Sequence, residues 1–283
     1  MLYGLLGFLM ASLSPRMGNT LFLFLPLVVG ITIALVTPRP IVAAAMLSTT
    51  ISLLICLVFL VAMKAEGILC AIMAFPLIFL SLLVGIGLGW AIRQVRSPGT
   101  TTSFFLLALA PAVIVGGNRL EMRSFTVPRT QRVTTTVHLP AAPNEVWANI
   151  LSIDHVAGTK PILMHFGLPV PQRCVMEGRS VGSKRTCYFD QGYIEESVLE
   201  WNPPQRMRLA IDRTHMPGRH WLQFDGAEYD LQGDSAGTTL TRSTTIRSNL
   251  QPAWYWGPLE KWGVESEHEY LFSDLVERFN TKR

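Results

Sequence analysis

Residues 133–155 read VTTTVHLPAAPNEVWANILSIDH. Within this stretch, the spacing of the apolar residues changes from that of a strand to that of a helix. The segment 131–140 is rich in threonine and valine and alternates along its length, which is typical of a β-strand. Pro143 suits the first turn of a helix, and four apolar residues then recur at helical spacing. These are Val146, Trp147, Ile150 and Leu151. The stretch therefore predicts a strand, a proline-containing turn and a short amphipathic helix.

The strand pattern recurs downstream, after a second short helix or loop at Asp154–Gly167. Turn residues separate six further candidates from one another. The candidate strands are 172–178, 183–190, 192–201, 205–213, 220–232 and 238–248. A long helix follows, from about Pro258 to Asn280. This order predicts an α+β domain in which a curved antiparallel sheet surrounds the C-terminal helix and leaves a cavity beside it.

The two sides of the long helix differ in composition. One side carries His268 among apolar residues at helical spacing, which predicts that this side meets the sheet. The opposite side carries the acidic residues Glu260, Glu267, Asp274 and Glu277.

The quoted opening resembles the start of the SRPBCC superfamily, the helix-grip fold, in which a strand and a proline-containing turn lead to a helix bearing EVW or a similar motif. The WNPP turn at 201–204, the last threonine-rich strand and the long C-terminal helix also match, so the resemblance covers about residues 130–282. This superfamily includes polyketide cyclase/dehydrase-like proteins and lipid-transfer START domains. No catalytic signature defines it, so the resemblance implies a fold and a ligand cavity rather than a reaction.

The charge of the chain is divided unevenly. Residues 1–118 hold five basic residues and one acidic residue, so the formal net charge of +4 lies wholly in this apolar half. Residues 119–283 are balanced in charge and show no basic cluster interleaved with aromatic residues. This pattern disfavours nucleic-acid binding and is typical of the short loops of a membrane protein.

Four apolar runs have about the length needed to cross roughly 30 Å of hydrocarbon as helices. They are 20–37, 41–63, 67–92 and 102–117. Residues 2–13 are also apolar but shorter, and they could lie at the interface or extend the first span. No charged residue lies deep in a span, which disfavours a transporter or pump. The sequence therefore predicts a multi-pass membrane domain over 1–118, a tether over 119–130 and a soluble domain over 131–283.

The basic residues of the loops predict an orientation. With four spans, six basic residues lie on the side of both termini and three lie on the other side. Since cytoplasmic loops carry the excess of lysine and arginine, this distribution predicts a plasma (cell inner) membrane protein with its C-terminal domain in the cytoplasm.

Strand parity identifies candidate site residues, because residues i, i+2 and i+4 of a strand share one face. Polar residues that share faces with apolar ones would point into the cavity, and His268 would meet them from the long helix. The candidates are Glu196, Arg242, His220, His268, Leu240 and Phe224. Charged groups around an apolar pocket could orient the polar head of a ligand or do acid–base chemistry. In the alternative interpretation, a buried glutamate and arginine neutralise each other's charge, and long charged side chains extend to the solvent at the edge of the cavity.

Most motifs of common catalytic and cofactor sites are absent from the sequence. GxSxG occurs at 178–182 and at 233–237, but both stretches are predicted turns between two strands, whereas a catalytic serine of this motif needs a turn from a strand into a helix. There is no HExxH and no phosphate-binding glycine loop, while VGIGLG at 84–89 lies inside a span, where glycines let helices pack closely. No cofactor or metal is therefore expected. The leading hypothesis is a membrane-anchored binding protein, not an enzyme, for a lipid or other hydrophobic small molecule. The alternatives are a cyclase, dehydratase or hydrolase that uses the same cavity, and a ligand-sensing scaffold.

Two cysteines lie on neighbouring predicted strands. If the turn between these strands centres between Ser180 and Val181, Cys174 and Cys187 lie directly opposite each other, with Cα atoms about 4.5–5.5 Å apart. A disulfide is then within reach. Because the predicted compartment is reducing, we expect two free thiols, and a redox-sensitive clasp is the alternative.

Overall fold

The computed structural model describes residues 18–63, 67–95, 100–124, 127–216 and 221–281. The chain forms two compact units. The helical unit comprises Met1–Pro128 with Asn249–Trp256, and the sheet unit comprises Arg129–Ser248 with Gly257–Arg283.

The helical unit is built from the long apolar runs of the sequence. A π-helical turn at Thr20–Phe24 leads into the first helix, and a 3-10 turn at Arg39–Ile41 leads into the second. The helices are α1 (Leu25–Val36), α2 (Val42–Ala62), α3 (Ile68–Val95) and α4 (Thr100–Ser124). Among the described residues, α2 and α3 are the two helices long and apolar enough to cross a membrane.

The four predicted membrane spans agree with the observed helices to different extents. The runs 41–63 and 67–92 correspond to α2 and α3, whereas the apolar segment Thr20–Val36 is shorter than a span. The run 102–117 lies within α4. Residues 2–13 lie outside the described residues.

Glycines bring α1 and α3 close together. A side chain at Gly30 would collide with the carbonyl oxygen of Leu82, and one at Gly85 would collide with the carbonyl oxygen of Leu27. Small residues of this kind let helix backbones approach closely. Gly85 and Gly89 of the run 84–89 therefore lie against α1, as predicted, whereas a side chain at Gly87 would meet nothing within 4 Å.

Charged side chains of α4 and α3 cap the two ends of the helical stretch that begins at Asn19 and ends with α1. At its start, the Glu121 carboxylate accepts hydrogen bonds from the backbone N–H groups of Asn19 and Thr20, at 2.6 and 2.9 Å. At its end, Arg93 donates to the carbonyl oxygens of Ala34 and Thr37. Helix ends leave such N–H and C=O groups unsatisfied, and a charge of the right sign stabilises each end.

The sheet unit contains seven antiparallel strands in the order β1-β7-β6-β5-β4-β3-β2. The strands are β1 (Arg129–Leu139), β2 (Pro171–Glu177), β3 (Lys184–Phe189), β4 (Gly192–Asn202), β5 (Arg206–His215), β6 (Leu222–Gly233) and β7 (Thr238–Ser248). Two short helices follow β1, namely α5 (Pro143–Leu151) and α6 (Ile162–His165), and the long helix α7 spans Ala253–Thr281. The predicted antiparallel sheet with a long C-terminal helix is confirmed.

One hydrophobic core joins the long helix to the sheet and to α5. Phe272, Leu275 and Phe279 of α7 belong to the same buried cluster as Trp147 of α5. The strands contribute Val198, Met207, Leu209, Ala227, Tyr229, Leu231 and Leu240. Burying a large apolar side chain contributes about 1.5–3 kcal/mol, so these contacts hold α7 against the sheet.

The predicted register of the first hairpin is confirmed, since Cys174 pairs with Cys187 across β2 and β3. Their Cα atoms are 4.0 Å apart, closer than expected, and the two sulfur atoms form a disulfide. The expectation of free thiols is therefore wrong. Direct opposition across an antiparallel pair brings the two sulfur atoms within bonding reach.

Candidate functional site

Six polar side chains meet inside the sheet unit, where α7 packs against the strands. We call this group the buried polar cluster. It consists of five buried residues, Arg185 on β3, Glu196 on β4, Tyr229 on β6, Arg242 on β7 and His268 on α7, together with Glu267 on α7, whose side chain is 19% exposed. Charged side chains are rarely buried unless they are paired, so each needs a partner within the cluster or a functional reason to be there.

Arg185 and Glu196 form the first ion pair of the cluster. They lie directly opposite each other in the β3–β4 pairing, with the Arg185 Nη1 atom 3.0 Å from the Glu196 Oε2 atom. Arg185 also donates from Nη2 to the carbonyl oxygen of Ile150. Only 2% of Arg185 and 6% of Glu196 are exposed. Burial raises the pKa of Glu196 above its usual value, although the positive charges of Arg185 and Arg242 act to lower it.

Arg242 and Glu267 form the second ion pair. The guanidinium donates to Glu267 Oε1 from both Nη1 and Nη2, at 3.1 Å each. The guanidinium carbons of Arg242 and Arg185 lie 5.5 and 5.7 Å from the centre of the Tyr229 ring. Both distances allow a cation–π interaction. Tyr229 therefore connects the two ion pairs.

His268 is completely buried and is hydrogen-bonded through both ring nitrogens. Nδ1 lies 2.7 Å from the hydroxyl of Thr135 on β1, and Nε2 lies 2.7 Å from the hydroxyl of Thr244 on β7. Burial and then the positive charge of Arg242 lower the pKa of His268 to about 2. The neutral ring therefore fastens α7 to two strands, and at neutral pH it is a weak base for proton transfer.

We expect His268 to make the fold sensitive to acid. The unfolded chain takes up a proton at this histidine below its ordinary pKa of 6.5, whereas the folded chain keeps it neutral down to about pH 2. Its contribution to stability is therefore complete above pH 6.5 and is lost as the pH falls. Between about pH 7.5 and about pH 5, the wild type should lose about 2 kcal/mol more than His268→Gln.

Urea titrations of the two proteins at both pH values measure this difference. His138→Gln is the matched control, because His138 is an exposed histidine on β1 of the same sheet. Equal pH dependence in the wild type and His268→Gln would show that His268 titrates normally in the folded protein.

The structure brings together only some of the predicted site residues. Glu196, Arg242 and His268 lie in the buried polar cluster, and Leu240 is fully buried in the adjoining core. Phe224 packs instead against a separate cluster of Val133, Ile246 and Val264. His220 lies outside the described residues. A ligand-binding role for these six residues stays a prediction.

Two features of the cluster differ from the sequence analysis. Arg185, the partner of Glu196, was missed, although counting back from the β3–β4 turn places it opposite Glu196. Glu267 and Asp274 were assigned to the side of α7 away from His268, yet Glu267 pairs with Arg242, and buried Asp274 accepts a hydrogen bond from the backbone of Ala157. The helix is therefore covered on two sides, by the sheet and by the segment that follows α5.

The described residues contain no group of three histidine, cysteine, aspartate or glutamate side chains that could hold a metal ion. The chemistry that the buried polar cluster itself offers is electrostatic. It provides two guanidinium groups, one carboxyl group with a raised pKa, and one carboxylate that is bound to Arg242.

Several solved structures are similar to about half of this chain. A START superfamily protein from Mycobacterium smegmatis is 13% identical, with 54% of this chain and 99% of that chain covered and a TM-score of 0.40. A protein from Nitrosospira multiformis is 17% identical, with 54% and 100% covered and a TM-score of 0.37. A protein from Rhodobacter sphaeroides is 14% identical, with 55% and 100% covered and a TM-score of 0.38.

The search of curated proteins finds no match to this chain. The family described as polyketide cyclase / dehydrase and lipid transport matches residues 130–282. This range takes in all seven strands, apart from the first residue of β1, and the whole of α7. Because the match covers more than half of the sequence, this protein belongs to the polyketide cyclase/dehydrase and lipid transport family.

Proposed function

We propose that this protein is a membrane-anchored binding protein that holds a lipid or other hydrophobic small molecule between the sheet and α7. The observation that carries the proposal is the buried polar cluster at that location, within an otherwise apolar core. A buried ion pair often stabilises a protein no better than apolar residues of the same size. Polar groups placed within an apolar interior are instead typical of sites that orient a ligand.

The helical unit supports anchoring in a membrane as a multi-pass protein. The side chains of Leu47, Ile55 and Val58 on α2 are more than 60% exposed, and lipid would cover such an apolar surface. We place the protein in the plasma (cell inner) membrane. Attachment to the bilayer raises the effective concentration of lipid ligands near the binding domain.

Two features bear on the side of the membrane that the sheet unit faces. The loop charges favour the cytoplasm. The Cys174–Cys187 disulfide favours the opposite side, because disulfides persist mainly in oxidising compartments. The redox state of these cysteines in cells decides between the two orientations.

Photo-crosslinking of the full chain tests the proposal. Diazirine-bearing palmitic acid and diazirine-bearing hexadecanol are added to the protein in lipid nanodiscs, and the labelled peptides are identified by mass spectrometry. We expect at least one probe to label peptides of 129–248 or 257–281, and excess unlabelled lipid of the same type to compete. Labelling confined to 18–124, or labelling that no competitor reduces, would contradict the proposal.

An enzymatic function is the second candidate, and one observation favours it. Burial raises the pKa of Glu196, and a carboxyl group of this kind can act as a general acid in a cyclase, dehydratase or hydrolase. His268 does not strengthen this candidate, because its pKa is lowered to about 2. A binding function requires only that the cluster orients a ligand, so we prefer it. A ligand-sensing scaffold would use the same binding step.

A further inference from the structure

Each arginine of the buried polar cluster has one nitrogen atom, Nε, that makes no hydrogen bond within the described residues. Arg185 uses its Nη atoms for Glu196 and Ile150, and Arg242 uses both Nη atoms for Glu267. Among the residues that the structure describes, the Nε atoms of Arg185 and Arg242 have no hydrogen-bond partner, although both are buried. A buried donor without an acceptor is unfavourable and rare in folded proteins. Two such donors beside the ring of Tyr229 therefore point to an acceptor supplied by a bound molecule.

The charges of the cluster indicate what that acceptor is. The positive charges of Arg185 and Arg242 face the bound carboxylate of Glu267 and the carboxyl group of Glu196. Burial raises the pKa of Glu196, which favours its neutral form, and His268 is neutral as well. With Glu196 ionised and paired with Arg185, the two positive and two negative charges of the cluster balance. A ligand that brings one negative charge keeps this balance when Glu196 takes up a proton, which its raised pKa favours.

We propose that the ligand is a long-chain carboxylic acid whose carboxylate binds the free Nε–H groups of Arg185 and Arg242 beside Tyr229. This inference rests on the proposed function and names its ligand class. The carboxylate is monovalent and accepts charge-assisted hydrogen bonds from guanidinium groups. The apolar chain would lie against the core side chains next to the cluster, which include Val198, Leu209, Ala227 and Leu231.

Three probes with the same apolar chain test the head-group preference. The diazirine derivatives of palmitic acid, hexadecanol and hexadecylamine are compared at equal concentration on the full chain in nanodiscs. Labelling is measured in peptides of 129–248 and 257–281. We expect the acid to label these peptides roughly tenfold more strongly than the alcohol, and the amine to label them least, because hydrogen bonds to charged groups are the stronger ones.

Conservative variants assign this preference to the two arginines. Arg185→Lys and Arg242→Lys each keep the positive charge but lose the Nε–H and the planar guanidinium group. We expect each variant to reduce the ratio of acid to alcohol labelling several-fold. The matched control is Arg132→Lys, since Arg132 is half exposed and pairs with Glu228, and its ratio should not change. Thermal melting shows which lysine variants fold, and one folded variant is sufficient.

The outcomes separate this inference from the proposed function. Labelling of the sheet unit by the acid and the alcohol to the same extent would overturn the inference and leave the proposed function standing. Strongest labelling by the amine would also overturn it. If no probe labels the sheet unit, the proposed function itself fails. An unchanged ratio in a folded lysine variant would remove the role of that arginine.

Discussion

Replacing Arg185 with methionine is expected to lower the free energy of unfolding by about 3–5 kcal/mol, because Glu196 would then be buried without its opposite charge. Both side chains are almost inaccessible to water, so solvent cannot take the place of the guanidinium. The variant also leaves the carbonyl oxygen of Ile150 without the hydrogen bond from Nη2. Urea titration of the full chain, followed by pulse proteolysis of the sheet unit, measures the loss.

Two further variants control this experiment. Lys184 is the neighbouring residue on β3, but it is exposed and pairs with Asp212 at the surface, so Lys184→Met should cost at most about 1 kcal/mol. The double variant Arg185→Met with Glu196→Met should regain most of the loss, because no unpaired charge remains. If Arg185→Met costs no more than Lys184→Met, the burial of Glu196 does not depend on Arg185.

Removal of the disulfide by Cys174→Ala together with Cys187→Ala is expected to lower the free energy of unfolding by about 3 kcal/mol, which is typical of a loop of this length. The bond links cysteines 13 positions apart and joins β2, at the edge of the sheet, to β3. Cys174 also exchanges two backbone hydrogen bonds with Ile153, so its strand holds the segment after α5 in place. Hydrogen exchange should therefore show the largest loss of protection in β2 and around Ile153.

Cys56→Ala is the control for this variant, because Cys56 is a free cysteine in α2 and should not affect the sheet unit. Reduction of the wild type with a dithiol should reproduce most of the loss. A double alanine variant as stable as the wild type would show that the bond does not contribute to stability. Alkylation of free thiols in intact cells also determines the orientation, since an oxidised pair indicates the oxidising side of the membrane and a reduced pair indicates the cytoplasm.

The sequence alone was sufficient to identify the order of strands and helices in the sheet unit. Alternation in 131–140 and helical spacing in Pro143–Leu151 are local signals, and each depends on the residues within one element. The pairing of Cys174 with Cys187 was predictable for a similar reason. A short turn joins their two strands, so its centre sets the register of the whole hairpin.

Only the tertiary structure decided the partners within the buried polar cluster. Parity shows which face of a strand carries Glu196 or Arg242, but it does not show which distant side chain lies opposite that face. Glu267 meets Arg242 because α7 packs across the sheet, a contact between residues 25 positions apart. The spacing of residues along α7 indicated a single buried side. Since a second segment covers the helix near Asp274, acidic residues outside that side are also buried and gain partners.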